Sequence, residues 1–105
     1  MTPGLHDLVS GATTHLPLSK GIVLRMLNAG AQRGLALQIN REALQARQVQ
    51  RALERRFEQA LAYDGCFVFS TADDALVLWH NIDPAGTAPE GVLDRLLSLA
   101  GLDHG

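Results

Sequence analysis

Two short apolar runs toward the end of the chain constrain its fold more than any other feature. Cys66-Phe67-Val68-Phe69-Ser70 and Ala75-Leu76-Val77-Leu78-Trp79-His80-Asn81-Ile82 are joined by Thr71-Ala72-Asp73-Asp74. That spacing predicts a β-hairpin with an acidic four-residue loop. Successive side chains of a strand point to opposite faces. Both faces are apolar here: Phe67 and Phe69 oppose Val68, while Leu76 and Leu78 oppose Val77 and Trp79. An antiparallel strand with one face in water alternates apolar and polar residues, so this hairpin demands cover on both sides. A helix of the same chain can supply one cover. With only 105 residues to draw on, the second is expected from a partner subunit or a bound peptide.

The helix that fits the first role runs through residues 41–63, which contain no Gly or Pro and are dominated by Ala, Leu, Gln, Glu and Arg. Asn40 is placed to cap it and Asp64-Gly65 to close it. Ala46, Val49, Leu53, Phe57 and Ala60 recur at steps of three and four, which predicts one apolar face with Leu61 beside it. Arg47, Arg51 and Arg55 form a second row, interrupted by Glu54 and Glu58. A final helix follows the loop Asp83 to Pro89. Thr87 or Ala88 precedes Pro89, a good first-turn residue, Val92, Leu93, Leu96, Leu97, Leu99 and Ala100 are its apolar positions, and Gly101 is its stop.

The N-terminal half is less regular. Residues 1–17 read as a weak first helix or an arm, with Leu5, Leu8 and Val9 apolar and with Gly11 and Pro17 ending it. Ser19 can cap a helix over about residues 20–31, through Ile22, Val23, Met26, Leu27 and Ala31. The competing reading is a strand, which β-branched Ile22 and Val23 favour. Leu35, Leu37 and Ile39 alternate with Ala36 and Gln38, as a strand leaving a Gly turn does. The expected fold is α+β: one domain over residues 1–105, with a short antiparallel sheet packed against one long helix and short helices at either end.

Composition narrows the class. At 47% hydrophobic, 19% charged and a net charge of −2, the chain is too apolar for a disordered protein. No basic cluster leads into an apolar run at the N-terminus, and no apolar stretch approaches the roughly 20 residues that span a bilayer. Cys66 is the single cysteine. A reducing, cytoplasmic setting is expected. Residues 1–63 hold eight basic and four acidic residues, and residues 64–105 hold one basic and seven acidic. The alternative function this split allows is a small regulator that binds nucleic acid, or a transcriptional regulator, through the basic half. Interleaving of the two halves in the fold is the simpler expectation.

Residues that carry chemistry do not assemble into a motif. His6, His15, His80 and His104 lack metal-ligand spacing, and no phosphate-binding glycine loop occurs. Asp73-Asp74 fits a solvated turn, and Cys66 an inert buried thiol. No cofactor, metal or catalytic residue is expected, and the chain reads as a binding protein.

Residues 40–101 resemble the small cytoplasmic chaperones of bacterial type III secretion systems. The resemblance lies in the helix ending at Tyr63-Asp64-Gly65, the hairpin, and above all the string Asp73-Asp74-Ala75-Leu76-Val77-Leu78-Trp79-His80-Asn81-Ile82. Asp83-Pro84 and Gly91-Val92-Leu93-Asp94-Arg95-Leu96-Leu97 continue it. Members carry three strands between the first helix and the long helix, where residues 18–39 here read as one or two. A shortened relative, a regulator or component of the same system, fits equally. The resemblance implies a dimer, of two copies or with a different subunit, that binds an extended segment of a secreted protein or partner component without nucleotide. It also implies residue roles. Val49, Leu53, Phe57, Val77 and Trp79 are assigned to self-association, and Leu35, Leu37 and Ile39 to the client. Core packing is the competing role for each.

Overall fold

A computed structural model describes residues 4–82 and 89–102. In chain order the elements are helix α1 (Leu5–Ser10), strands β1 (His15–Ser19), β2 (Ile22–Ala29) and β3 (Gln32–Ile39), helix α2 (Gln48–Glu58), strands β4 (Cys66–Ser70) and β5 (Leu76–Asn81), and helix α3 (Pro89–Ala100). The expected loop from Asp83, with Thr87 and Ala88 before the last helix, lies outside the described residues, while α3 begins at Pro89, the expected first-turn residue.

The strands form one antiparallel sheet in the order β1-β2-β3-β5-β4. Three strands, not one or two, therefore precede α2, and residues 20–31 are a strand between two turns rather than a helix. Lys20-Gly21 makes the first turn, with Gly21 at φ +81, a conformation that costs residues with a Cβ. A Cβ there would also stand 2.7 Å from that of Ala43. Gly30-Ala31 makes the second turn. The eight residues between the turns suit a strand, and the three-to-four spacing of Ile22, Val23, Met26 and Leu27 is shared between its two faces.

The long helix expected over 41–63 is also corrected. Arg41–Ala43 form a single 3-10 turn, and α2 begins only at Gln48. The break falls at Arg47, which adopts φ +64. Asn40 does precede the 3-10 turn, but its side chain makes no cap bond. At its other end α2 stops at Glu58 and gives way to turns that lead into β4. The sheet, not one long helix, is the organising element.

One face of the sheet carries the core. Leu16, Leu24, Leu35, Leu37, Ile39, Leu76, Leu78 and Cys66 point to it and pack with Leu8 of α1, Ala52 of α2 and Val92, Leu96 and Leu99 of α3. Each fully buried aliphatic side chain contributes on the order of 2 kcal/mol through its removal from water. Arg33 donates to the Val9 carbonyl and fastens α1 to the start of β3. The last turn of α3 closes with Leu102 N–H bonded to the Leu97 carbonyl and Gly101 N–H to that of Ser98, the stop expected at Gly101. On the opposite face of the sheet the buried cluster is small: Ala36, Val77 and Trp79, with Leu27 beside them.

Candidate protein-interaction surface

The two-sided apolarity of the hairpin resolves differently in its two strands. All of Leu76 to His80 in β5 is buried. In the edge strand β4, Phe67 and Phe69 stand 57% and 43% exposed on the outer face. With Leu27, Ala29, Gln32 and Trp79 they line a groove of about 430 Å³. The Trp79 indole forms its floor. Its Nε1–H donates to the Leu27 carbonyl at 2.7 Å, and its ring lies 5.7 Å from that of Phe67. The indole lies over Gly34, where a Cβ would stand 2.1 Å from Trp79 Cε2. Glycine at position 34 thus lets the indole cross β3 and bond β2.

A second apolar surface lies on α2. Its inward positions are Gln48 and Ala52. Val49 is half-buried against the core, while Leu53 is 49% and Phe57 85% exposed, and Leu61 just past the helix is 95% exposed. Arg56, three residues past Leu53 and seven past Val49, shares that side of the helix. It donates from Nε to the Cys66 carbonyl at 2.8 Å, so this side of α2 borders β4.

The inward side of α2 is polar because it completes the end of α3. Gln48 Nε2–H donates to the Ala100 carbonyl at 3.0 Å and Arg55 to the Leu99 carbonyl at 2.6 Å. The hydroxyls of Tyr63 and Ser98 lie 2.9 Å apart. Carbonyls in the last turn of a helix have no intrahelical partner and carry partial negative charge, and these side chains satisfy two of them.

The residues assigned to self-association thus divide. Leu53 and Phe57 lie on the exposed side of α2 and Val49 is half-buried against the core, whereas Val77 and Trp79 are buried on the outer face of the sheet, beneath and beside the exposed phenylalanines. Leu35, Leu37 and Ile39, assigned to the client, are fully buried on the inner face under the helices. In the folded chain they present no surface for a client to touch. Sequence reading missed Phe67 and Phe69 as surface residues. Their position in a strand paired on one side only was the signal that could have marked them.

Cys66 and His80 are cross-strand neighbours on the inner face, but they are not arranged as a nucleophile and base. A guanidinium only donates. The 3.0 Å contact from Arg95 therefore makes His80 Nε2 an acceptor, and Nδ1–H faces the Asn81 carbonyl at 2.6 Å. Neither ring nitrogen remains for the thiol. Burial pushes the Cys66 thiol up to about 11, against the opposing pull of Arg95 and Arg56, so it stays protonated near neutrality. Asp73 and Asp74 occupy the exposed hairpin loop, where Asp74 sits 3.9 Å from Arg41.

The basic and acidic halves interleave, since β3 pairs with β5 and α2 packs on α3. In the arginine row, Arg55 is engaged with α3, and Arg51 shares its surroundings with Glu54 and Glu58. Among the described residues no group of three or more His, Cys, Asp or Glu is placed to hold a metal ion, and no helix is long and apolar enough to cross a membrane.

No curated protein and no solved structure gives a significant match to the chain. A family model described as HrpV-like matches residues 5–105, which takes in every element of the fold, from α1 to α3. The chain therefore belongs to the HrpV-like family of type III secretion regulatory proteins.

Proposed function

We propose that this chain is a non-enzymatic regulator of type III secretion that works by binding protein. It self-associates through Val49, Leu53 and Phe57 on α2, and it receives an extended segment of a secreted protein or a secretion-system component on the open face of its sheet. The observation that carries this reading is the exposure of large apolar side chains in two regular elements, Leu53 and Phe57 on α2 and Phe67 and Phe69 on β4. Contiguous exposed apolar surface of this kind marks sites of protein association. Buried Val77 and Trp79 support the phenylalanines from below, and the client role assigned to Leu35, Leu37 and Ile39 passes to the groove above Trp79. The element order, a helix, three strands, a helix, a hairpin and a helix, agrees with the order implied by the resemblance to secretion chaperones.

The test is light scattering during size-exclusion chromatography at two concentrations, on wild type and Phe57→Asp. The expected result is a dimer that becomes a folded monomer on substitution, with an unchanged circular dichroism spectrum. A wild type that stays monomeric at tens of micromolar overturns the self-association.

A further inference from the structure

The strand residues of the open face are almost free of charge. Reading the register across it, His15, Arg25, Ala36, Trp79 and Phe67 form one cross-strand row. Pro17, Val23, Gln38, Val77 and Phe69 form the next. Arg25 is the only Arg, Lys, Asp or Glu among these outward-facing strand residues. Its Nε is buried and has no hydrogen-bond partner. Arg41, Glu42 and Asp73 line the same recess, yet no ion pair joins Glu42 or Asp73 to Arg25 among the described residues. Neighbouring strands lie about 4.8 Å apart, so Arg25 stands about 10 Å along the row from Trp79 and about 14 Å from Phe67.

We infer that Arg25 is the specificity residue of this face and takes a carboxylate from the bound partner. This deepens the reading of the open face as the partner surface and rests on it. The occupant is a segment of a different protein. An aromatic or aliphatic side chain of that segment fills the groove between Leu27, Phe67 and Trp79, and an Asp or Glu about three or four extended residues away reaches Arg25. The outward-facing strand residues of a second copy laid face to face offer Arg25 no carboxylate, since the acids of this recess, Glu42 and Asp73, come from the 3-10 turn and the hairpin loop. A hydrogen bond to a charged group is among the stronger polar contacts, and a like charge opposite Arg25 repels. The apolar groove therefore supplies attachment, and Arg25 selects which segment is accepted and in which register.

The test uses a displayed library of random 12-residue peptides, selected on the whole chain and then measured singly against wild type, Arg25→Gln, Arg25→Glu, Arg25→Lys and Phe67→Asp. Circular dichroism establishes that each variant is folded. The expected peptides carry an acid three or four residues from an apolar anchor. They lose about 10-fold or more in affinity for Arg25→Gln and keep most of it for Arg25→Lys, which still answers if the Gln variant fails to fold. Replacing the peptide acid by Lys restores binding to Arg25→Glu. Peptides that need Phe67 but ignore every Arg25 substitution overturn the role of Arg25 and leave the open-face reading standing. Peptides indifferent to Phe67→Asp, or a selection that yields none, overturn both.

Discussion

Helices α2 and α3 lie side by side, and each has an apolar and a polar side, but they use those sides in opposite ways. α3 buries Val92, Leu96 and Leu99 in the core and leaves Glu90, Asp94 and Arg95 outside. α2 turns Gln48, Ala52 and Arg55 toward its neighbour and shows Leu53 and Phe57 to solvent. The difference teaches that periodicity locates an apolar face without saying what covers it. For α3 the cover is the sheet. For α2 the inward side must meet the carbonyl end of α3, which calls for donors, so Leu53 and Phe57 on its apolar side are left in solvent.

Substitutions at three positions sharpen or break this contrast. Leu96→Ala, in the middle of α3, is expected to cost about 3 kcal/mol of unfolding free energy in urea titrations, from lost burial and the cavity left behind. A cost below about 1 kcal/mol would place α3 at the margin of the core and erase the contrast. Gln48→Ala is expected to cost about 2 kcal/mol, since it strips a donor from the Ala100 carbonyl and an acceptor from Gln45 N–H, which lies 2.9 Å from Gln48 Oε1. If Gln48→Leu matched or exceeded wild type in the same titration, the polar side of α2 would not be needed to complete α3. Phe57→Ala should change the stability of dilute protein by no more than about 0.5 kcal/mol, as for other exposed positions. A larger loss at low concentration would mean that Phe57 supports its own subunit.

What could be read from the sequence followed how local its causes were. The hairpin at residues 66–81 and the end of α3 at Gly101 were legible because turn residues and short-range alternation set them. Residues 20–31 deceived because Ile22, Val23, Met26 and Leu27 fit two periods at once. Gly21 and Gly30, with eight residues of chain between them, were the better guide to two turns. The start of α2 could not be read at all. Arg47 takes a left-handed backbone, costing about 1 kcal/mol, where no Gly or Pro announces a break. What sets that start is Gln48, bound to a carbonyl 52 positions further on. The candidate surface was half legible: α2 gave Val49, Leu53 and Phe57, but the inward direction of Leu35, Leu37 and Ile39 depends on where the helices pack.

Trp79 is the chain's one tryptophan, and its place beneath Phe67, with the indole N–H held by Leu27, makes the open face optically self-reporting. Its emission belongs to a ring shielded from water, tied across β3 and forming the floor of the groove. A segment settling on Phe67 and Phe69 would alter that emission with no dye attached. Unpairing of β5 from β3 would shift it to longer wavelength. The same ring thus distinguishes, within a single titration, a partner that docks from one that pulls the sheet apart.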